Sequence, residues 1–87
     1  MSITVELTYD MSKSLGVPRF EVEGARTVED VVRMTREKFG KQAEAFEKLT
    51  RVAAVVVNGV LINHQEGMST LLTDGDTVGF FKAAAGG

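Results

Sequence analysis

Near the N-terminus, Ile3, Val5 and Leu7 alternate with Thr4, Glu6 and Thr8, a period of two that predicts a half-buried strand. Residues 18–23 alternate in the same way, with Phe20 and Val22 on one face. Between them, residues 10–16 read as a polar loop around Met11 and Leu15, and so short a connection makes an antiparallel hairpin the simplest pairing. At Thr27 the period changes. Val28, Val31, Val32, Thr35 and Phe39 share one narrow arc at the helical repeat, while Arg33, Arg36 and Glu37 lie outside it. The Thr27 hydroxyl is placed to accept from the amide of Asp30, and Glu29 and Asp30 suit the positive end of the helix dipole. A capping box prefers Glu or Gln at the third position, so Asp30 is expected to make an imperfect one. Met34 falls off the arc and is expected at the surface, and Gly40 is a natural stop for the helix, able to take the left-handed conformation. Residues 42–50 predict a short second helix whose apolar contacts are Ala45, Phe46 and Leu49.

Residues 52–57 form a continuous apolar run rich in β-branched side chains, which predicts a central or doubly covered strand. Asn58-Gly59 is the strongest short hairpin signal, because both turn positions need positive φ, and residues 60–63 return as a fourth strand. After a loop holding His64 and Gly67, residues 70–73 are too short for more than one turn. Asp74-Gly75-Asp76 is a tight turn, and residues 77–82 are a fifth strand with Val78 and Phe80 on the core face. The order of strand, strand, helix and three strands predicts an α+β fold in which a mixed five-stranded sheet packs on one main helix. That is the order of the β-grasp, the ubiquitin-like fold, whose first and last strands run parallel at the sheet centre. Residues 1–82 would form the domain and residues 83–87 a flexible tail leaving from the sheet itself.

Length and composition narrow the function. Eighty-seven residues, 44% hydrophobic and 25% charged, make one globular domain and exclude disorder. The chain is small for an enzyme with its own closed pocket and supporting shell. A net charge of −2, from 10 basic and 12 acidic residues, leaves no electrostatic footprint for nucleic acid. Without cysteine there is no disulfide, thiol nucleophile or thiolate metal site. The N-terminus lacks the pattern of a signal peptide, and no apolar stretch approaches the roughly 20 residues that span a bilayer. A cytoplasmic protein with no membrane partner is the expectation. His64, the only histidine, has no convergent partners and is expected to be structural or solvated. Asp74 and Asp76 lack the other ligands of a calcium loop, and no metal site is expected. Arg33, Arg36 and Lys38, interleaved with Glu29, Asp30 and Glu37, read as a solvated helix face.

The chain ends Ala83-Ala-Ala-Gly86-Gly87. Extended, five residues reach roughly 17 Å, and none carries more than a methyl group. Such an end suits insertion into a narrow channel on another protein; the plain alternative is a frayed terminus of small residues. Together with Val55-Val-Val-Asn-Gly59, Leu72-Thr-Asp-Gly-Asp-Thr-Val78 and Phe80-Phe81, the terminal Gly86-Gly87 resembles the sulfur-carrier branch of ubiquitin-like proteins. Its members include the small subunit of molybdopterin synthase and the thiamine-pathway sulfur carrier (MoaD/ThiS-like proteins). The resemblance implies that a ubiquitin-activating-like adenylyltransferase uses ATP to adenylate the carboxylate of Gly87. A sulfur donor then displaces AMP to leave a thiocarboxylate, and an acceptor enzyme takes the sulfur for cofactor, thiamine, tRNA or amino-acid biosynthesis. On this resemblance the chain binds no cofactor and is a carrier rather than an enzyme, with Gly86 and Ala85 entering the partner's channel. Molybdopterin-type members usually carry a proline pair just before the last four residues, where this chain has Lys82-Ala83, which weakens assignment to that pathway. The sequence ends at Gly87, so no trimming is expected to be needed to expose it.

Along the last strand, Phe81 points opposite to Val78 and Phe80, beside Gly79. Val55, Val57, Val60 and Ile62 are expected to face the core, leaving Ala54, Val56 and Leu61 outward with Phe81. Phe81, with Val56, is therefore the expected partner-docking surface. Two rival functions remain. One is a protein modifier joined through the same glycine to target lysines, and the other is a plain interaction module with no tail chemistry.

Overall fold

The N-terminal alternation becomes β1, Ser2–Leu7, with Ile3, Val5 and Leu7 buried. The computed structural model describes residues 1–50, 53–62 and 67–82. In chain order, β1 is followed by α1 (Tyr9–Leu15), β2 (Arg19–Glu23), α2 (Val28–Phe39), a 3-10 turn (Gly40–Gln42) and α3 (Ala43–Thr50). Then come β3 (Ala53–Val57), β4 (Val60–Leu61), a 3-10 turn (Gly67–Ser69) and β5 (Thr77–Lys82). The sheet order is β2-β1-β5-β3-β4, with β1 and β5 parallel and every other pair antiparallel. This is the β-grasp, with α2 as its main helix and β5 at the sheet centre.

Residues 10–16 do not form a loop. They lie in α1, which buries Met11 and Leu15 one turn apart and closes on Gly16 in the left-handed conformation, whose N–H donates to the Ser12 carbonyl. β1 and β2 do pair antiparallel, Ile3 opposite Val22 and Val5 opposite Phe20, but through this helix rather than a tight turn.

The start of α2 corrects a second expectation. The shorter Asp30 completes the capping box: the Thr27 hydroxyl accepts from Asp30 N–H at 3.1 Å, and the Asp30 carboxylate accepts from Thr27 N–H at 3.3 Å and Arg26 N–H at 3.1 Å. The Arg26 amide and then the Arg33 guanidinium hold the Asp30 carboxyl below its ordinary pKa of 3.8. Val28, Val31 and Thr35 are buried, the Thr35 hydroxyl donating to the Val31 carbonyl at 2.8 Å. Met34 is not at the surface as expected; it is partly buried against the core, its Cε 3.7 Å from where a side chain on Gly24 would begin. Gly40 ends the helix as expected, with φ 61° and ψ −129°, a positive φ outside the left-handed helical region.

The 3-10 turn resets the phase of the next helix. α3 buries Ala43 and Phe46 and exposes Ala45, while the side chain of Leu49 lies outside the described residues. Phe46 meets Phe80 edge to face, centroids 5.2 Å apart, which ties α3 to the central strand. Phe20 and Phe39 make a second such pair at 5.0 Å. The hairpin turn is as expected, Asn58 at φ 51° and Gly59 at φ 86°. The fourth strand is shorter than expected, Val60–Leu61, though Ile62 beyond it is buried. No described helix is long and apolar enough to cross a membrane.

Candidate functional site

β5 is the base from which the tail departs. It is bonded on both sides, in register with β1 from Thr4↔Thr77 to Leu7↔Phe80 and with β3 from Val57↔Val78 to Ala53↔Lys82. Val78 and Phe80 are fully buried, and the Phe80 carbonyl accepts from Thr8 N–H at 3.2 Å. The strand is thus held on both sides to Phe80 and on the β3 side to Lys82. Gly87, Gly86 and Ala85, the expected reactive terminus and channel-entry residues, lie outside the described residues, as does His64.

The sheet face turned away from the helices divides into two halves. On β1 and β2 it is polar: Arg19 pairs with Glu6 at 3.3 Å, and Ser2 Oγ donates to Glu21 at 3.3 Å. On β5, β3 and β4 it is apolar. Phe81 pairs across from Ala54, Gly79 from Val56, and Val56 from Leu61, which puts these residues on one strip. Phe81 is 39% exposed and Leu61 37%, while Ala54 and Val56 are partly covered. The strip begins one residue before the end of β5. The structure therefore brings Phe81 and Val56 together as expected. An open depression of about 380 Å³ adjoins them, bordered by Glu6, Val56, Asn58, Thr77, Gly79 and Phe81.

One expected core residue is corrected. Val60 pairs with Val57 on the inner face, yet is 51% exposed, because β4 is the edge strand beside the turn and no described element covers it there. Gly79, placed beside Phe81 by the strand alternation, also leaves room for the ring. A methyl group there would lie 2.8 Å from Phe81 Cε2 and 3.0 Å from both Phe81 Cζ and Val56 Cγ2. A glycine inside a strand marks such a close approach.

At the other end of β5, the acidic turn does structural work. The Asp76 carboxylate accepts from Thr73 N–H (2.8 Å), the Thr73 hydroxyl (3.1 Å) and the Asn58 amide (2.9 Å). Asp74 accepts from Ser2 N–H at 2.7 Å. These bonds tie the turn to the β3–β4 hairpin and to β1. On the helical side, a second depression of about 380 Å³ is lined by Glu29, Asp30, Arg33, Arg36 and Glu47 among others. Its arginines are already paired, Arg33 with Asp30 and Glu37 and Arg36 with Glu47, as a solvated face should be. Among the described residues no group of three or more His, Asp or Glu could hold a metal ion.

Comparison with known proteins bears on this geometry. The model of the ThiS family matches residues 16–87. No curated protein sequence matches the chain. Among solved structures, the small archaeal modifier protein 1 of Methanosarcina acetivorans is 27% identical, with a TM-score of 0.80 over 99% of this chain and 96% of that one. A chain of the BexX/CysO complex of Amycolatopsis orientalis is 26% identical, with a TM-score of 0.79 over 98% and 99%. A chain from the complex of subunits 1 and 2 of the molybdopterin-converting factor of Helicobacter pylori shares the fold at 20% identity, with a TM-score of 0.69 over all of both chains.

Proposed function

Because this chain belongs to the ThiS family of ubiquitin-like sulfur carriers, we propose that its working group is the carboxylate of Gly87. In this reading an adenylyltransferase presents ATP, a Gly87 carboxylate oxygen attacks the α-phosphorus, and pyrophosphate leaves. A carboxylate is a poor acyl donor until its oxygen becomes a good leaving group, and the adenylate supplies one. The outer sulfur of a persulfide donor attacks the carbonyl carbon and AMP departs. Thiol reduction of the resulting acyl disulfide frees the thiocarboxylate for an acceptor enzyme. Gly86 and Ala85 thread the partner's channel, Phe81 and Val56 dock the partner, and the chemistry is the partner's.

The observation that carries this reading is the anchoring of β5. A central strand bonded on both sides as far as Phe80, and on the β3 side to Lys82, gives the five following residues a fixed origin beside an exposed aromatic. A chain within the BexX/CysO complex, at 26% identity, supports work alongside a partner protein.

Deleting Gly86-Gly87 should abolish ATP–pyrophosphate exchange with an adenylyltransferase that activates the intact chain, while the circular dichroism spectrum is unchanged. Continued adenylation of the truncated chain would overturn the proposal.

Likeness to a small archaeal modifier protein favours a second reading, in which the same acyl group is transferred to target lysines. Mass spectrometry of the chain from native cells separates the two. Exchange of oxygen for sulfur adds about 16 Da at Gly87, whereas conjugation yields heavier adducts through lysine.

A further inference from the structure

We propose that Gly79 is a positioning residue for docking of the adenylyltransferase: its lack of a side chain lets the Phe81 ring lie back along β5 towards Val56, forming the apolar strip that begins near the end of β5. The inference rests on the carrier reading above and deepens it by naming what shapes the docking surface.

Gly79 stands in register between Glu6 of β1 and Val56 of β3, on the outer face. A Cβ at this position would lie 2.8 Å from Phe81 Cε2, 3.0 Å from Cζ and 3.0 Å from Val56 Cγ2. Carbon atoms without a bond between them prefer about 3.5–4.0 Å. The ring and a methyl group therefore cannot both occupy the space over Gly79. Nothing else at position 79 calls for glycine. Its φ lies outside the positive range that the other described glycines occupy. It faces away from the helical core, and a glycine in the middle of a strand weakens that strand. The residue costs β5 some intrinsic preference and gains a seat for the ring.

The seat matters because Phe81 is otherwise weakly held. It is 39% exposed and stands on the open face, so a ring displaced from Gly79 would swing into solvent with little strain on the fold. Leu61 and Val56 would then lose the aromatic that continues their strip towards the end of β5. The Gly79→Ala change should therefore move two readouts in opposite directions. Alanine favours extended chain over glycine, so the thermal midpoint should hold or rise. Docking should weaken.

The test uses the full chain with an adenylyltransferase that supports ATP–pyrophosphate exchange on the wild type. For Gly79→Ala, KM for the carrier should rise about tenfold with kcat within about twofold, the behaviour of a lost binding contact. Phe81→Ala should show the same KM rise, and the double variant should be no worse than Phe81→Ala alone, because both act through one ring. Independently of activity, NMR should show contacts between the Phe81 ring protons and the Gly79 α-protons in the wild type. In Gly79→Ala the Val56 methyl signals should shift as the ring departs. An unchanged KM in Gly79→Ala, or an additive double variant, would overturn this inference while leaving the carrier reading intact. Absence of exchange with the wild-type chain across adenylyltransferases of the class would overturn both.

Discussion

At the scale of single residues, Asp76 shows how one carboxylate joins two segments, its own turn and the β3–β4 hairpin. Its oxygens accept from Thr73 and from the Asn58 side chain, and the carbonyl of that same Asn58 side chain accepts from Thr77 N–H at 3.0 Å. The Thr73 backbone N–H first, and the Asn58 amide next, hold the Asp76 carboxyl below its ordinary 3.8. A depressed native pKa means stability that is fully present above 3.8 and is lost as pH falls through the lower native value. Asp76→Asn, which keeps the shape and removes the charge, should therefore lower the urea midpoint at pH 7, and the gap to wild type should narrow by pH 3. A gap of equal size at both pH values would count against the role of the charge. The turn at Asp74-Gly75-Asp76 was legible in the sequence because its chemistry is local. That Asp76 also reaches Asn58, eighteen positions away, was not, since only the sheet brings the two together.

Among the elements, α2 and α1 make the useful contrast. α2 spans twelve residues and carries its start signal in Thr27, so period and cap agreed before any packing was known. Thr27→Ala removes the hydroxyl acceptor of the Asp30 amide and should destabilise the chain by about 1 kcal/mol, read from the denaturant midpoint. α1 has seven residues, of which Asp10, Ser12, Lys13 and Ser14 are polar, and a helix that short does not hold in water by itself. Its two apolar residues become a helical signal only once the core accepts them. α3 failed in phase rather than in kind. Ala43 and Ala45 are equally apolar in the sequence, and the 3-10 turn before the helix chooses which of them faces inward.

For the molecule as a whole, the central strand is the organising feature. β5 is the last strand in sequence and the middle one in space, so Lys82, where it ends, stands on the central strand of the sheet. Phe46 supports it from behind through Phe80. Phe46→Ala should cost about 3–5 kcal/mol in chemical denaturation, with loss of a fully buried ring and of its edge contact. A cost below about 1 kcal/mol would show that the helical layer does not brace the strand.

The alternating strands, the amphipathic main helix, the Asn58-Gly59 turn and the run of small residues at the end follow from the amino-acid order alone. Each depends on neighbours within a few positions, where period, capping and backbone freedom act. The strand order, the exposure of Val60 at an edge, the short helix after β1 and the seat that Gly79 makes for Phe81 required the folded chain. These arise from residues far apart in sequence coming into register, and a linear pattern holds no information about which strand a glycine will stand beside.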